Sequence, residues 1–171
     1  MTGKRMVAIT YIVFVLINFS TVAQQVEIEN IPDEILKTVE GKQFASSYTI
    51  DGAMNPFYLR GDFDSDGKPD YAIWVKSKVG SKTGIAIWLS SERDFVVLGA
   101  GVPFKAAASV ETNLNFLNTW QVYGKRPVER GVESSQPPRL QGEAILVGKT
   151  ESASGLIYWD GTRFRWYQQG D

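Results

Sequence analysis

Four carboxylates stand at a spacing that suits a hard cation. The run Arg60-Gly61-Asp62-Phe63-Asp64-Ser65-Asp66-Gly67-Lys68-Pro69-Asp70 reads as D-x-D-x-D-G-x-x-D. Carboxylates at loop positions 1, 3, 5 and 9, here Asp62, Asp64, Asp66 and Asp70, can wrap an oxygen-loving ion with the help of one backbone carbonyl. Glycine at position 6, Gly67, lets the chain turn sharply beneath it. Left without a cation the loop is electrostatically costly, because two carboxylates about 5 Å apart repel by about 3 kcal/mol at an effective dielectric of 20. A divalent ion removes that repulsion, and Ca²⁺ suits the spacing better than Mg²⁺, which demands a smaller octahedral shell and keeps its waters.

The loop departs from a helix-loop-helix calcium hand at position 12. Ile73 stands where that motif places a bidentate Glu, and Tyr71-Ala72-Ile73-Trp74-Val75 reads as a strand, not a helix. Weak binding follows, with a dissociation constant on the order of 10⁻⁴ to 10⁻³ M, in the range of extracellular modules. The stretch from Gly61 to Ala72 resembles the calcium loop of FG-GAP and VCBS-type repeats, found in integrin-like propellers and bacterial surface proteins. The resemblance implies a loop joining two strands, with Asp62, Asp64, Asp66 and Asp70 as side-chain ligands and the Lys68 carbonyl as a fifth. It covers about fifteen residues and occurs as a single copy, whereas a propeller repeats blades of about 40 to 50 residues.

The elements that must hold this loop are mostly strands. Pro32-Asp33-Glu34 suits a helix first turn, Ile31, Ile35 and Val39 recur at fourfold spacing, and Gly41 can end the element, so one helix is expected over 32–41. Strands are expected over Phe57–Arg60, Tyr71–Lys78, Gly84–Leu89, Phe95–Leu98, Asn118–Tyr123, Ala144–Gly148 and Leu156–Trp159, each bounded by Gly, Pro, Ser or Asp. The fold class is therefore mainly β, a small antiparallel, meander-like sheet with one short N-terminal helix.

Asp160-Gly161 predicts a final hairpin with a two-residue type I′ turn. Ile157, Trp159, Phe164 and Trp166 then share a core-facing side, and Tyr158, Arg163, Arg165 and Tyr167 share the other. Arginines interleaved with tyrosines suit carboxylate, phosphate or sugar ligands; a solvated sheet face with cation-π pairs is the plainer account. The segment 124–138 carries three prolines and mixed charge without periodicity. A loop of that length is either a site of partner contact or an excursion without a role.

Lys4 and Arg5 precede an apolar stretch from Met6 to Phe19, and Ser20-Thr21-Val22-Ala23 supplies small residues before Gln24. This is the pattern of a cleaved secretory signal over residues 1–23, shorter than the ~20 apolar residues of a spanning helix. Residues 24–171 are then one β-rich domain in an extracytoplasmic setting, periplasmic or secreted. No cysteine staples it, so its core and its ion must stabilise it. Signal removal takes the charge from −1 to −3, and no basic stripe offsets it, which argues against nucleic acid and anionic membranes as partners.

Enzyme classes are narrowed by what is missing. With no His and no Cys, a Ser-His-Asp triad, a cysteine nucleophile and the usual zinc ligands are all excluded. Glu92, Asp94, Glu111, Glu143 and Glu151 show no catalytic spacing; Glu143 and Glu151 flank a strand and read as solvated strand-end charges. The leading expectation is a calcium-stabilised extracytoplasmic binding or structural module, non-enzymatic, whose partner is a protein or a glycan. Two alternatives stand beside it. One is a carboxylate-dependent hydrolase of a wall or extracellular polysaccharide with an aromatic platform among Trp120, Trp159 and Trp166. The other is an exported inhibitor or immunity-type protein.

Overall fold

Strands dominate because β-branched and aromatic residues dominate the middle of the chain, where they pack on pleated surfaces. The computed structural model describes residues 31–131 and 136–170, so the expected signal segment 1–23 lies outside the described residues. Two helices come first, α1 (Asp33–Val39) and α2 (Lys42–Ser47). Eleven strands follow: β1 (Tyr48–Ile50), β2 (Tyr58–Gly61), β3 (Asp70–Ser77), β4 (Thr83–Leu89), β5 (Asp94–Gly99), β6 (Phe104–Ala106), β7 (Ser109–Glu111), β8 (Thr119–Tyr123), β9 (Ala144–Gly148), β10 (Ser154–Trp159) and β11 (Phe164–Gly170). Among the described residues no helix is long and apolar enough to cross a membrane.

The protein is mainly β and antiparallel, as expected, but its strands divide between two sheets. One runs β1-β3-β4-β5, with β2 also on β3: β2 pairs the first half of β3, Gly61 facing Asp70, and β1 pairs the second, Ile50 facing Val75. The other is a plain meander, β8-β9-β10-β11, and β6 and β7 form a separate hairpin. The single expected helix is two. Gly41, read as a terminator, is extended at φ −60°, ψ 137° and starts α2, which buries Phe44. The short strands β1, β6 and β7 have only three residues each, too few for alternation to be legible.

Alternation along each strand builds three apolar layers. Ala72, Trp74, Ile85, Ile87, Leu89 and Leu98 of the first sheet meet Trp120, Ile145, Val147, Ile157 and Phe164 of the second in the central core. Trp74 and Trp120 cross it edge-to-face at 6.0 Å, a geometry worth about 0.5–1.5 kcal/mol beyond the area buried. On the far side of the first sheet, Tyr71, Ile73, Val75, Ala86 and Trp88 are covered by Ile35 and Phe44 of the helices. β3 is therefore buried on both faces from Asp70 to Val75.

The far side of the second sheet is covered by the segment after β8. Val128 and Leu140 pack against a layer of Tyr123, Ala144, Leu156 and Tyr167. Pro127 O accepts from the Tyr123 hydroxyl at 3.1 Å, Gly131 N–H donates to the Tyr167 hydroxyl at 2.9 Å, and Arg126 lies 4.1 Å over the Tyr123 ring. The described part of the 124–138 segment is thus a cover for a sheet.

The final hairpin differs from the expected turn by two residues. Trp159 pairs with Phe164, so residues 160–163 form a four-residue connection, not a two-residue one. The reason is the Asp160 side chain: Oδ1 accepts from Thr162 N–H at 2.9 Å, Arg163 N–H at 3.0 Å and Thr162 Oγ1 at 2.8 Å. This local ring satisfies the backbone that a tighter turn would have placed in the ladder. A shift of two preserves the faces, and Ile157, Trp159, Phe164 and Trp166 all join the central core.

Candidate metal centre

The Asp-rich run is the connection of the β2–β3 hairpin. Gly61 and Asp70 are paired across the ladder, and the residues between them must turn the chain. Ser65 at φ 72° and Gly67 at φ 81° make the left-handed steps. The turn folds back on its own carboxylates, because N–H groups at a tight bend point inward and need acceptors.

Asp70 is the anchor. It is wholly buried, its Oδ2 accepts from Phe63 N–H at 2.8 Å and Asp64 N–H at 3.2 Å, and its Oδ1 accepts from Ser90 N–H at 2.9 Å. Its carboxyl is pushed above the usual carboxylate range, first by burial and further by the negative charge of Asp64, against the pull of its backbone donors. Asp64 Oδ1 accepts from Asp66 N–H at 3.1 Å and Oδ2 from the Ser91 hydroxyl at 2.7 Å. Asp62 Oδ2 accepts a long 3.3 Å bond from Gly67 N–H, while Oδ1 is buried with no hydrogen-bond partner.

Asp62, Asp64 and Asp70 converge. One carboxylate oxygen from each lies within 4.8 Å of those of the other two, and the three could hold a metal ion. At that separation the repulsion is about 3.5 kcal/mol per pair at an effective dielectric of 20. No cationic side chain enters the group to offset it: the ion pairs among the described residues are Lys68 with Asp66 and Arg165 with Asp160. The donor set is all oxygen, each carboxylate retains lone pairs beyond its present bonds, and the orphaned Asp62 Oδ1 is an acceptor without a donor. The residues fit a hard cation.

Asp66 and Lys68 stand differently. Asp66 is exposed, its Oδ1 accepts from Lys68 N–H at 2.7 Å, and its Oδ2 lies 3.4 Å from the Lys68 ammonium. Asp66 is therefore outside the convergent trio, closing a local turn on Lys68. An exposed pair of this kind contributes little to stability.

Three contributors to the loop's surroundings were not legible from spacing. Ser90 and Ser91, in the turn that follows β4, bind Asp70 and Asp64. Glu143, expected as a solvated strand-end charge, is instead half-buried and clasps the loop from the second sheet: its Oε2 accepts from Asp62 N–H at 2.9 Å, and its own N–H donates to Asp62 O at 2.8 Å. The approach is close enough that a Cβ on Gly142 would lie 2.4 Å from Asp62 O, and one on Gly61 2.8 Å from Glu143 Oε2. At Gly142 the contact is with backbone and requires glycine whatever its φ; at Gly61 a side chain would displace the Glu143 carboxylate from its place. Only the docking of the two sheets brings Glu143 to residue 62.

The three tryptophans considered as an aromatic platform all pack in or against the central core. Trp120 is buried with its Nε1–H donating to Pro56 O at 2.6 Å, Trp159 stacks edge-on to Phe164 at 5.0 Å, and Trp166 is half-buried with its Nε1–H on Gln168. Glu151 is exposed in the turn between β9 and β10 and makes no ion pair among the described residues. Comparison of the chain with family models, with curated proteins and with solved structures found no match to any of them.

Proposed function

We propose that this protein is a calcium-stabilised extracytoplasmic module that binds or scaffolds a partner, with Ca²⁺ held by Asp62, Asp64 and Asp70 and completed by Asp66 and the Lys68 carbonyl when the loop closes on the ion. The observation that carries the reading is the convergence of three carboxylates, one of which, Asp62, has a buried oxygen with no hydrogen-bond partner. The resemblance of the loop to FG-GAP and VCBS-type calcium loops and the signal-like N-terminus support calcium, which is millimolar outside cells and scarce within them. A weak site then suffices, acting as a clip that joins β2, β3, the β4–β5 turn and, through Glu143, the second sheet.

The test is the thermal unfolding midpoint of the purified protein in chelator and in calcium. With a dissociation constant of about 0.1 mM, about 10 mM calcium adds roughly 2.7 kcal/mol, or about 5–10 °C for a domain of this size. The rise is lost in Asp64→Ala, Asp66→Ala. An equal midpoint in both buffers, with no heat of calcium binding by calorimetry, would reduce the loop to an acidic turn.

A further inference from the structure

A second site lies where the turn between β10 and β11 meets the hairpin of β6 and β7. A cavity of about 630 Å³ is bounded there by Lys105 and the alanine tip of β6–β7 on one side and by Tyr158, Arg163, Arg165 and Trp166 on the other. This volume falls within the range of small-ligand sites. It contains none of the loop carboxylates discussed above.

We propose that this groove binds an acidic saccharide, a sugar carrying ring carboxylates. Three cations line it against one acid, Asp160. That acid is already committed: besides capping its own turn it is ion-paired with the Arg165 Nε. The pairing fixes Arg165 by its Nε edge and leaves the two Nη groups without a protein acceptor among the described residues. Lys105 and Arg163 have no acidic partner among the described residues either. A net positive groove on an otherwise acidic protein attracts an anion and is wasteful without one.

The ring half of the assignment comes from the rest of the lining. Half-buried Tyr158 and Trp166, on opposite faces of the hairpin, both line the groove beside the cations, and aromatic rings beside charged donors suit a ligand with one apolar ring face and one ionised edge. The opposite rim is kept low by Ala107 and Ala108, both exposed, so no long side chain fills the opening. Charge-assisted bonds from the guanidinium and ammonium groups supply the affinity, and the rings select against acyclic acids.

Calorimetric titration of the full protein in millimolar calcium tests this with three probes: a uronic-acid trisaccharide, a neutral trisaccharide of the same length, and hexaglutamate. The acidic sugar is expected to bind at least about tenfold tighter than either other probe, weakening with salt. Lys105→Ala, Arg163→Ala should weaken it by about tenfold or more, and Ala108→Glu, which adds a like charge at the rim and removes no cation, should do the same. Each variant's calcium-induced rise in midpoint is read in parallel: binding lost with that rise intact locates the defect in the groove. A missing rise in the parent protein with sugar binding retained overturns the metal reading alone. Absence of binding, equal affinity for the neutral sugar, tighter binding of hexaglutamate, or uronate binding indifferent to both variants would each overturn the groove proposal.

Discussion

Two hairpin connections in this protein are built on aspartate and reach opposite electrostatic ends. In the β2–β3 connection three carboxylates face one another, and one oxygen is buried with no donor. In the β10–β11 connection a single carboxylate, Asp160, is saturated by Thr162, Arg163 and the Arg165 guanidinium. The titration of the two anchors differs accordingly. Burial raises the Asp70 carboxyl, whereas the Arg165 hydrogen bond, followed by that of Thr162, holds Asp160 well below the usual range. A turn that neutralises itself needs nothing further; one that collects unneutralised charge carries a repulsion that a bound cation would relieve.

The comparison breaks first at Asp70. Asp70→Ala removes the acceptor of three backbone N–H groups and leaves them inside the protein, at about 1–3 kcal/mol each for buried donors. The expected loss is the largest of any loop substitution, roughly 3 kcal/mol or more by denaturant unfolding, together with the calcium response. A midpoint unchanged in chelator would mean that Asp70 does not organise the loop.

Asp62→Asn and Asp64→Asn sharpen it. Each removes one member of the repelling trio while keeping an acceptor oxygen, so in chelator stability should hold or rise by up to about 2 kcal/mol while the calcium-induced rise disappears. Asp160→Asn should do the reverse, lowering the midpoint in both buffers and keeping the calcium response. Loss of stability in chelator from both loop variants would show that the trio is not strained by its charge.

Glu143 tests whether the loop is tied to the second sheet. Glu143→Ala strips the acceptor from Asp62 N–H and should lower stability by about 1–2 kcal/mol, with weakened calcium binding. Glu143→Gln retains an acceptor oxygen and should recover most of both. Equal defects in the two variants would assign the role of Glu143 to its charge.

The smallest effects are those of pH, and they run in opposite directions. Asp160, with a lowered folded-state pKa, contributes stability that is present above the ordinary value of 3.8 and is lost as pH falls through its lowered value. Asp70, with a raised pKa, favours the metal-free folded state below 3.8 and loses that contribution as pH rises through its raised value. In chelator, Asp70→Asn should therefore flatten a decline in midpoint on the alkaline side of 3.8, and Asp160→Asn should flatten a decline on the acid side. Calcium should mask the first and leave the second.

Much of this architecture is legible from local pattern. The strands from β2 to β5 and from β8 to β11 follow alternation and β-favouring residues, and the site loop follows spacing alone. What escaped has specific causes. The first sheet is covered on both faces, so β3 reads as one continuous apolar run that does not say which side faces the partner sheet. Asp160 captures two backbone donors and lengthens its turn, an effect that an Asp-Gly pair hides. The described part of the 124–138 segment lacks periodicity because it lies on a sheet without pairing in it, anchored by Val128, Pro127 O and Gly131 N–H.

The division between sequence and tertiary structure falls along the range of the interactions. Carboxylate spacing, the longer strands and the core-facing side of the final hairpin depend on neighbours within a few residues, and the sequence by itself determined them; that its other side is also covered, burying Leu156 and Tyr167, it did not. The separation into two sheets, the exclusion of Asp66 from the convergent trio, and the arrival of Ser90, Ser91 and Glu143 around the loop were decided only by the tertiary structure. Those contacts span 20 to 81 residues and exist because sheet docking buries enough apolar surface to hold them together.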